Sequence, residues 1–170
     1  MVGCVIYFVK FVYYQAFKGN KMAFFTSEYT GKLDAKGRLV LPSRMKTALP
    51  ESSSAELYIK LGLEPCIELY PLSEYKKVYS KIAGLNEFDP EVRKLQRNFF
   101  RGSAMVELDG AGRFLIPKMM LQYAKLNKEV VIVGMGSKME IWDPEVYQNY
   151  LIHDPEEMAR LAQKHLSQRE

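Results

Sequence analysis

The ten residues "LDAKGRLVLP" at 33–42 return 75 positions later as "LDGAGRFLIP" at 108–117. The repetition extends outward. "FTSEYTGKLD" at 25–34 stands opposite "FRGSAMVELD" at 100–109, and "IELYPLSEY" at 67–75 answers "MEIWDPEVY" at 139–147 with an offset of 72, so the second copy has lost three residues in between. Duplication on this scale means that one supersecondary unit was doubled, giving two modules related by approximate symmetry. Each unit reads strand, tight turn, strand, short helix, strand, turn, strand, short helix. The expected class is α+β, with a first unit at 28–75, a helical linker at 76–103, a second unit at 104–147 and a C-terminal helix or tail at 148–170.

The residues that recur are those a hairpin requires. Leu39 and Leu41 alternate with Arg38 and Val40, and Phe114 and Ile116 with Arg113 and Leu115, the period of a strand. Gly37 and Gly112 supply the positive φ of a tight turn, and Asp34 and Asp109 can fold their carboxylates back onto the turn amides. These four positions read as structural. Pro42 and Pro117 close the second strand and open the short helices "SRMKTAL" and "KMMLQYA".

Arg38 and Arg113 ask for more than scaffolding. Each stands four residues beyond its Asp, where an ion pair across the hairpin can form, but exposed pairs contribute only about 0–1 kcal/mol. Around the first turn Lys32, Lys36, Arg38, Arg44 and Lys46 face only Glu28 and Asp34. The background is nearly neutral: the formal charge of +4 falls to +1 once Lys10, Lys18 and Lys21 are set aside. A two-stranded ribbon fits the DNA major groove, where arginine contacts guanine O6 and N7 bidentately and lysine holds phosphates. The DNA-contact candidates are therefore Lys32, Lys36, Arg38, Arg44 and Arg113, and the competing account is a solvated, ion-paired surface.

Other classes find little support. No His-based triad spacing, phosphate-binding glycine loop or paired-carboxylate motif is present, so no catalytic site, metal or cofactor is expected. Cys4 and Cys66 are too few for a disulfide framework and lie far from His153 and His165 in sequence. Residues 1–21, "MVGCVIYFVKFVYYQAFKGNK", are apolar, but Lys10 and Gln15 interrupt them and no signal-peptide cleavage pattern follows. The expectation is a non-native extension with the true start at Met22, and no membrane association in the mature form.

Between the units, Tyr75, Val78, Tyr79 and Ile82 fall on one face of a helix. In "DPEVRKLQRNFFRGS", Asp89 reads as a cap, Pro90 as a first-turn residue, and Val92, Leu95 and Phe99 as an apolar stripe flanked by Arg93, Lys94, Arg97 and Arg101. A charge run of this kind is usually a solvated face, with phosphate contact as the alternative. The tail "DPEEMARLAQKHLSQRE" is expected to turn Met158, Leu161, Ala162 and His165 or Leu166 inward, toward packing or a subunit contact.

Two copies of Asp-x-x-Gly-Arg followed by aliphatic-x-aliphatic-Pro, joined by a basic helical segment and followed by "VIVGMGSKMEIWDPEVY", resemble the MraZ family over residues 22 to about 165. The resemblance implies two AbrB-like swapped-hairpin modules related by pseudo-symmetry. It also implies a bacterial transcription factor, cytoplasmic and nucleoid-associated, that binds repeated double-stranded operator sites before the division and cell-wall genes and assembles with itself, as a ring. The family's Asp-x-x-x-Arg signature maps onto Asp34 with Arg38 and Asp109 with Arg113, whereas Ala111 stands in the second turn where Lys36 stands in the first. An antitoxin-type module that binds a protein partner and a purely structural oligomer are the competing readings; the complete second copy argues against the former and the paired arginines against the latter.

Overall fold

The computed structural model describes residues 23–50 and 56–166. The expected extension before Met22 lies outside the described residues. Each copy begins with the strand, turn, strand and helix that the repeat dictates: β1 (Glu28–Lys32), β2 (Arg38–Val40) and α1 (Ser43–Thr47) in the first, β5 (Ser103–Glu107), β6 (Arg113–Leu115) and α4 (Lys118–Tyr123) in the second. A hairpin follows in each, β3 (Glu56–Leu61) with β4 (Ile67–Pro71), and β7 (Glu129–Gly134) with β8 (Met139–Trp142). Helices α2 (Leu72–Ala83) and α3 (Pro90–Arg101) close the first half, and α5 (Pro144–Gln148) and α6 (Pro155–Leu166) the second.

The halves interlock. β1 pairs not with its own hairpin but with β7, and β5 reciprocally pairs with β3. With β4 against β8 at the centre, the result is an antiparallel six-stranded sheet in the order β1-β7-β8-β4-β3-β5. The remaining strands, β2 and β6, pair with each other as a separate ribbon. Every pairing has its symmetric counterpart, so each half supplies the edge strand that covers the other's hairpin. Tyr147 on α5 adds a further tie by donating its hydroxyl to Glu28 on β1 at 3.1 Å.

One face of the large sheet and the inner face of the ribbon enclose the main core. Leu39 and Phe114, opposite each other in the ribbon, are fully buried against Leu57, Ile59, Ile67, Leu69, Ile132 and Ile141, with Met45 of α1 and Met120 of α4 filling the flanks. The other sheet face carries Trp142, Val131, Cys66 and Tyr147, and beside them a buried polar row. Lys60, Glu68 and Glu140 sit side by side across β3, β4 and β8. Glu68 pairs with Lys60, receives Lys138 Nζ at 2.5 Å and accepts from the Tyr70 hydroxyl at 2.9 Å; Glu140 takes Lys138 at 2.8 Å and the Trp142 indole at 3.1 Å. Two cations thus meet two carboxylates, and the lysines hold the Glu68 carboxyl below its usual range despite the opposing effect of burial.

The helical segments differ from expectation in how far they are covered. Asp89 caps α3 by accepting from Glu91 N at 2.8 Å, and Pro90 opens it. Tyr75 is buried, stacked on Tyr58 and flanked by Phe99, but Tyr79 and Leu95 remain 47% and 46% exposed because α2 and α3 cover only one edge of the sheet face. Among the described residues the tail helix α6 buries no residue fully: Met158 and Leu166 are exposed, while Leu161 and Ala162 are half-buried.

Candidate nucleic-acid interface

The two repeated turns are built bond for bond alike. Asp34 Oδ1 accepts from the Lys36 and Arg38 amides, both at 2.9 Å, and Asp109 Oδ1 accepts from Ala111 and Arg113, also at 2.9 Å. Gly37 N donates to Asp34 O at 3.0 Å and Gly112 N to Asp109 O at 2.8 Å, and the two glycines hold φ at 79° and 73°, a region any residue with a Cβ enters at a cost. The second carboxylate oxygen of each Asp receives the Nε–H of its arginine, at 2.6 Å for Arg38 and 2.8 Å for Arg113. With the Arg38 amide foremost and the guanidinium and Lys36 amide assisting, the Asp34 carboxyl is held down to about 2, and the Arg113 amide, its guanidinium and the Ala111 amide likewise lower Asp109.

The carboxylate therefore makes the turn and aims the arginine. Nε is engaged, while the Nη groups make no hydrogen bond among the described residues. Both arginine side chains keep only 32% and 36% of their surface open, because the Asp holds them along the turn.

Swapped pairing brings the turns together. Leu41 N donates to Gly112 O and Ile116 N to Gly37 O, so each ribbon strand ends on the other unit's turn glycine. Arg38 lies opposite Leu115 and Arg113 opposite Val40. Because alternate residues face opposite sides of a strand, Leu39 and Phe114 point into the core while Arg38, Val40, Arg113 and Leu115 form the outer face, with Val40 and Leu115 52% and 54% exposed. Strand rise and interstrand spacing put the two arginine Cα atoms about 8 Å apart.

The remaining candidates separate. Lys36 projects from the first turn and is exposed. Lys32 stands 3.5 Å from Glu129 of β7, a counter-charge nearly a hundred residues away in the chain, so the first turn's cluster is less positive than its local sequence. Arg44, on α1, lines a shallow cleft with Phe24, Ser27 and Tyr29. Lys46 was read as part of the first turn, but its Nζ lies 3.5 Å from where a Cβ on Gly112 would stand, over the second turn; Leu121, the same distance along the second copy, covers Gly37. A cation thus stands at both turns, Lys36 at one and Lys46 at the other, and the charge that Ala111 lacks is supplied from the opposite unit. Among the described residues no cluster of His, Cys, Asp or Glu is disposed to hold a metal, and no helix is long and apolar enough to cross a membrane.

A family model described as "MraZ protein, putative antitoxin-like" matches the chain twice in succession, over residues 24–98 and 99–169. The chain belongs to the MraZ family. The two matches fall on the two halves of the interlocked fold. A protein of Cytophaga hutchinsonii named "Transcriptional regulator MraZ" is 52% identical over 146 residues, 86% of this chain and 97% of that protein. Proteins of the same name from Pseudomonas syringae pv. syringae and Carboxydothermus hydrogenoformans are 42% and 40% identical, over 68% and 74% of this chain and 77% and 85% of theirs.

Proposed function

We propose that this chain regulates transcription by laying the outer face of the β2–β6 ribbon in the major groove of operator DNA. The observation that carries the reading is the pair of arginines, each fixed through Nε by its own turn carboxylate, standing on one ribbon face with Nη groups that make no hydrogen bond among the described residues. A preformed guanidinium loses little side-chain freedom on binding, and its remaining fork matches guanine O6 and N7. Lys36 and Lys46, at opposite ends of the ribbon, lie where lysines would flank it and meet the phosphates.

One ribbon is a small grip: two arginines and two lysines neutralise few phosphates, and specific binding at nanomolar strength needs more contact than that. Self-association supplies it. Several copies joined together present several ribbons, and repeated sites on one duplex are then engaged at high effective concentration. The names of the relatives support the regulatory role, and the duplicated turn supports a ribbon that reads one short repeat per subunit. A cytoplasmic protein associated with the nucleoid follows from that role.

The test is helical phasing. In a gel-shift assay on two operator repeats, inserting about 5 base pairs between them rotates one site to the far side of the duplex and should weaken binding far more than inserting about 10. Equal effects would remove joint engagement of repeats, and absence of binding to any fragment from the regulated promoter would remove the DNA reading.

A further inference from the structure

The outer face of the ribbon is only half polar. Beside the two arginines it carries two aliphatic side chains, Val40 and Leu115, and both are exposed. They hold the same place in the two copies, two residues beyond Arg38 and Arg113. The neighbouring turn positions differ between the copies: Ala35 and Lys36 in the first stand as Gly110 and Ala111 in the second. An aliphatic residue thus occurs twice where the core has no use for it, because Leu39 and Phe114 already serve the buried side. Threonine or lysine would suit a solvated strand face, the one as a good strand former and the other as a guard against stray pairing.

Register sets each aliphatic residue beside an arginine from the other copy. Leu41 N donates to Gly112 O and Ile116 N to Gly37 O, so these opposed residues are hydrogen-bonded pairs of the ladder. Arg38 with Leu115, and Val40 with Arg113, fall between them as the close pairs without hydrogen bonds, about 4.5 Å apart at Cα. Each guanidinium is held by Nε to its own turn, which leaves the aliphatic neighbour uncovered. Either end of the ribbon therefore presents one fork of donors and one apolar side chain.

The major groove offers a matching pair of groups. Guanine O6 and N7 answer the fork, and the apolar group on the groove floor is the C5-methyl of thymine. A rise of about 3.4 Å between base pairs is close to the spacing of the paired Cα atoms, so the aliphatic side chain falls on the base pair beside the one its arginine contacts.

We propose that Val40 and Leu115 are specificity-determining residues, each covering the C5-methyl of a thymine next to the guanine that its cross-strand arginine reads. This rests on the ribbon reading above and extends it from single guanines to guanine–thymine steps. Covering the methyl removes apolar surface from water on both partners. Cytosine in that place would set its N4 amino donor against a side chain with no acceptor, so the wrong base is also penalised.

The test copies one fragment of the regulated promoter twice, with dTTP and with dUTP, giving duplexes that differ only in the C5-methyl groups. Both are titrated with the full chain by fluorescence anisotropy. Burying a methyl is worth about fourfold in Kd, so the wild type should prefer the thymine duplex by roughly tenfold or more when a ribbon covers two. Val40→Ser with Leu115→Ser should bind the two duplexes alike, with native circular dichroism, while Arg38→Ala with Arg113→Ala should weaken binding to both. Equal wild-type affinity for the two duplexes, or a thymine preference that survives in the serine variant, overturns the methyl contact; a weakened arginine variant then leaves the ribbon reading standing. An arginine variant that binds as the wild type does, or a wild type that binds neither duplex, overturns both. Should the double serine variant fail to fold, Leu115→Ser decides alone: a thymine preference reduced about fourfold supports the proposal and an unchanged one overturns it.

Discussion

Replacing Arg38 and Arg113 by Ala separates reading from folding because the turns do not depend on the guanidiniums. After the substitutions Asp34 Oδ1 still accepts from the amides of residues 36 and 38, and Asp109 Oδ1 from those of 111 and 113. The buried side of the ribbon, Leu39 on Phe114, is untouched. Thermal unfolding should therefore stay near wild type. DNA binding should not: a lost bidentate arginine–guanine contact costs about 1–3 kcal/mol, roughly 5- to 150-fold in Kd. Each arginine is held by a separate carboxylate and the two Cα atoms are about 8 Å apart, so the losses should nearly add, giving roughly 30-fold to above about 10⁴-fold for the double variant. Since Lys46 stands at the second turn as Lys36 does at the first, the two single variants should be of similar severity. Fluorescence anisotropy with an operator duplex measures all three. A double variant that binds within threefold of wild type while its circular dichroism stays native would refute the ribbon as the reading surface.

Lys36→Ala and Lys46→Ala should each lower the slope of log K against log salt by about 1 without changing which sequence is preferred; an unchanged slope for Lys46→Ala would remove it from the phosphate contacts. Carbon-13 titration of the Asp34 carboxyl should give a midpoint of about 2 against the ordinary 3.8. Because the folded value is depressed, this carboxylate's contribution to stability is complete above the ordinary value and is lost as pH falls through about 2; Asp34→Asn should abolish that part of the acid dependence. Glu68→Gln leaves Lys60 and Lys138 short of a buried counter-charge and should cost about 3–5 kcal/mol in urea unfolding, whereas a loss under about 1 kcal/mol would mean the network is hydrated and replaceable.

Much of the local architecture was legible because hairpin chemistry is local. The Asp of each copy serves contacts within four residues and each Gly supplies the positive φ of its own turn, and the alternation of Leu39 with Val40 states which side of β2 meets the core. What crosses between the halves was not legible. Lys32 looks unpaired until β1 lies beside Glu129, and Lys46 belongs by sequence to the first turn and by space to the second. The buried row of Lys60, Glu68 and Glu140 is likewise assembled across strands of both halves, with Phe99 of α3 5.3 Å from the Lys60 ammonium. The tail helix shows the reverse failure: its apolar spacing is plain, but periodicity does not say how much of a face is covered, and here Leu161 and Ala162 are half-buried while Met158 and Leu166 stay exposed.

Photo-crosslinking tests the reading surface most directly. A photoactivatable residue in place of Val40, 52% exposed between the two arginines, and another in place of Leu63, 92% exposed in the loop between β3 and β4, leave the core untouched. The ribbon account predicts crosslinks from position 40 to bases of the operator repeat and none from position 63. Crosslinks to bases from position 63 with none from position 40 would contradict it.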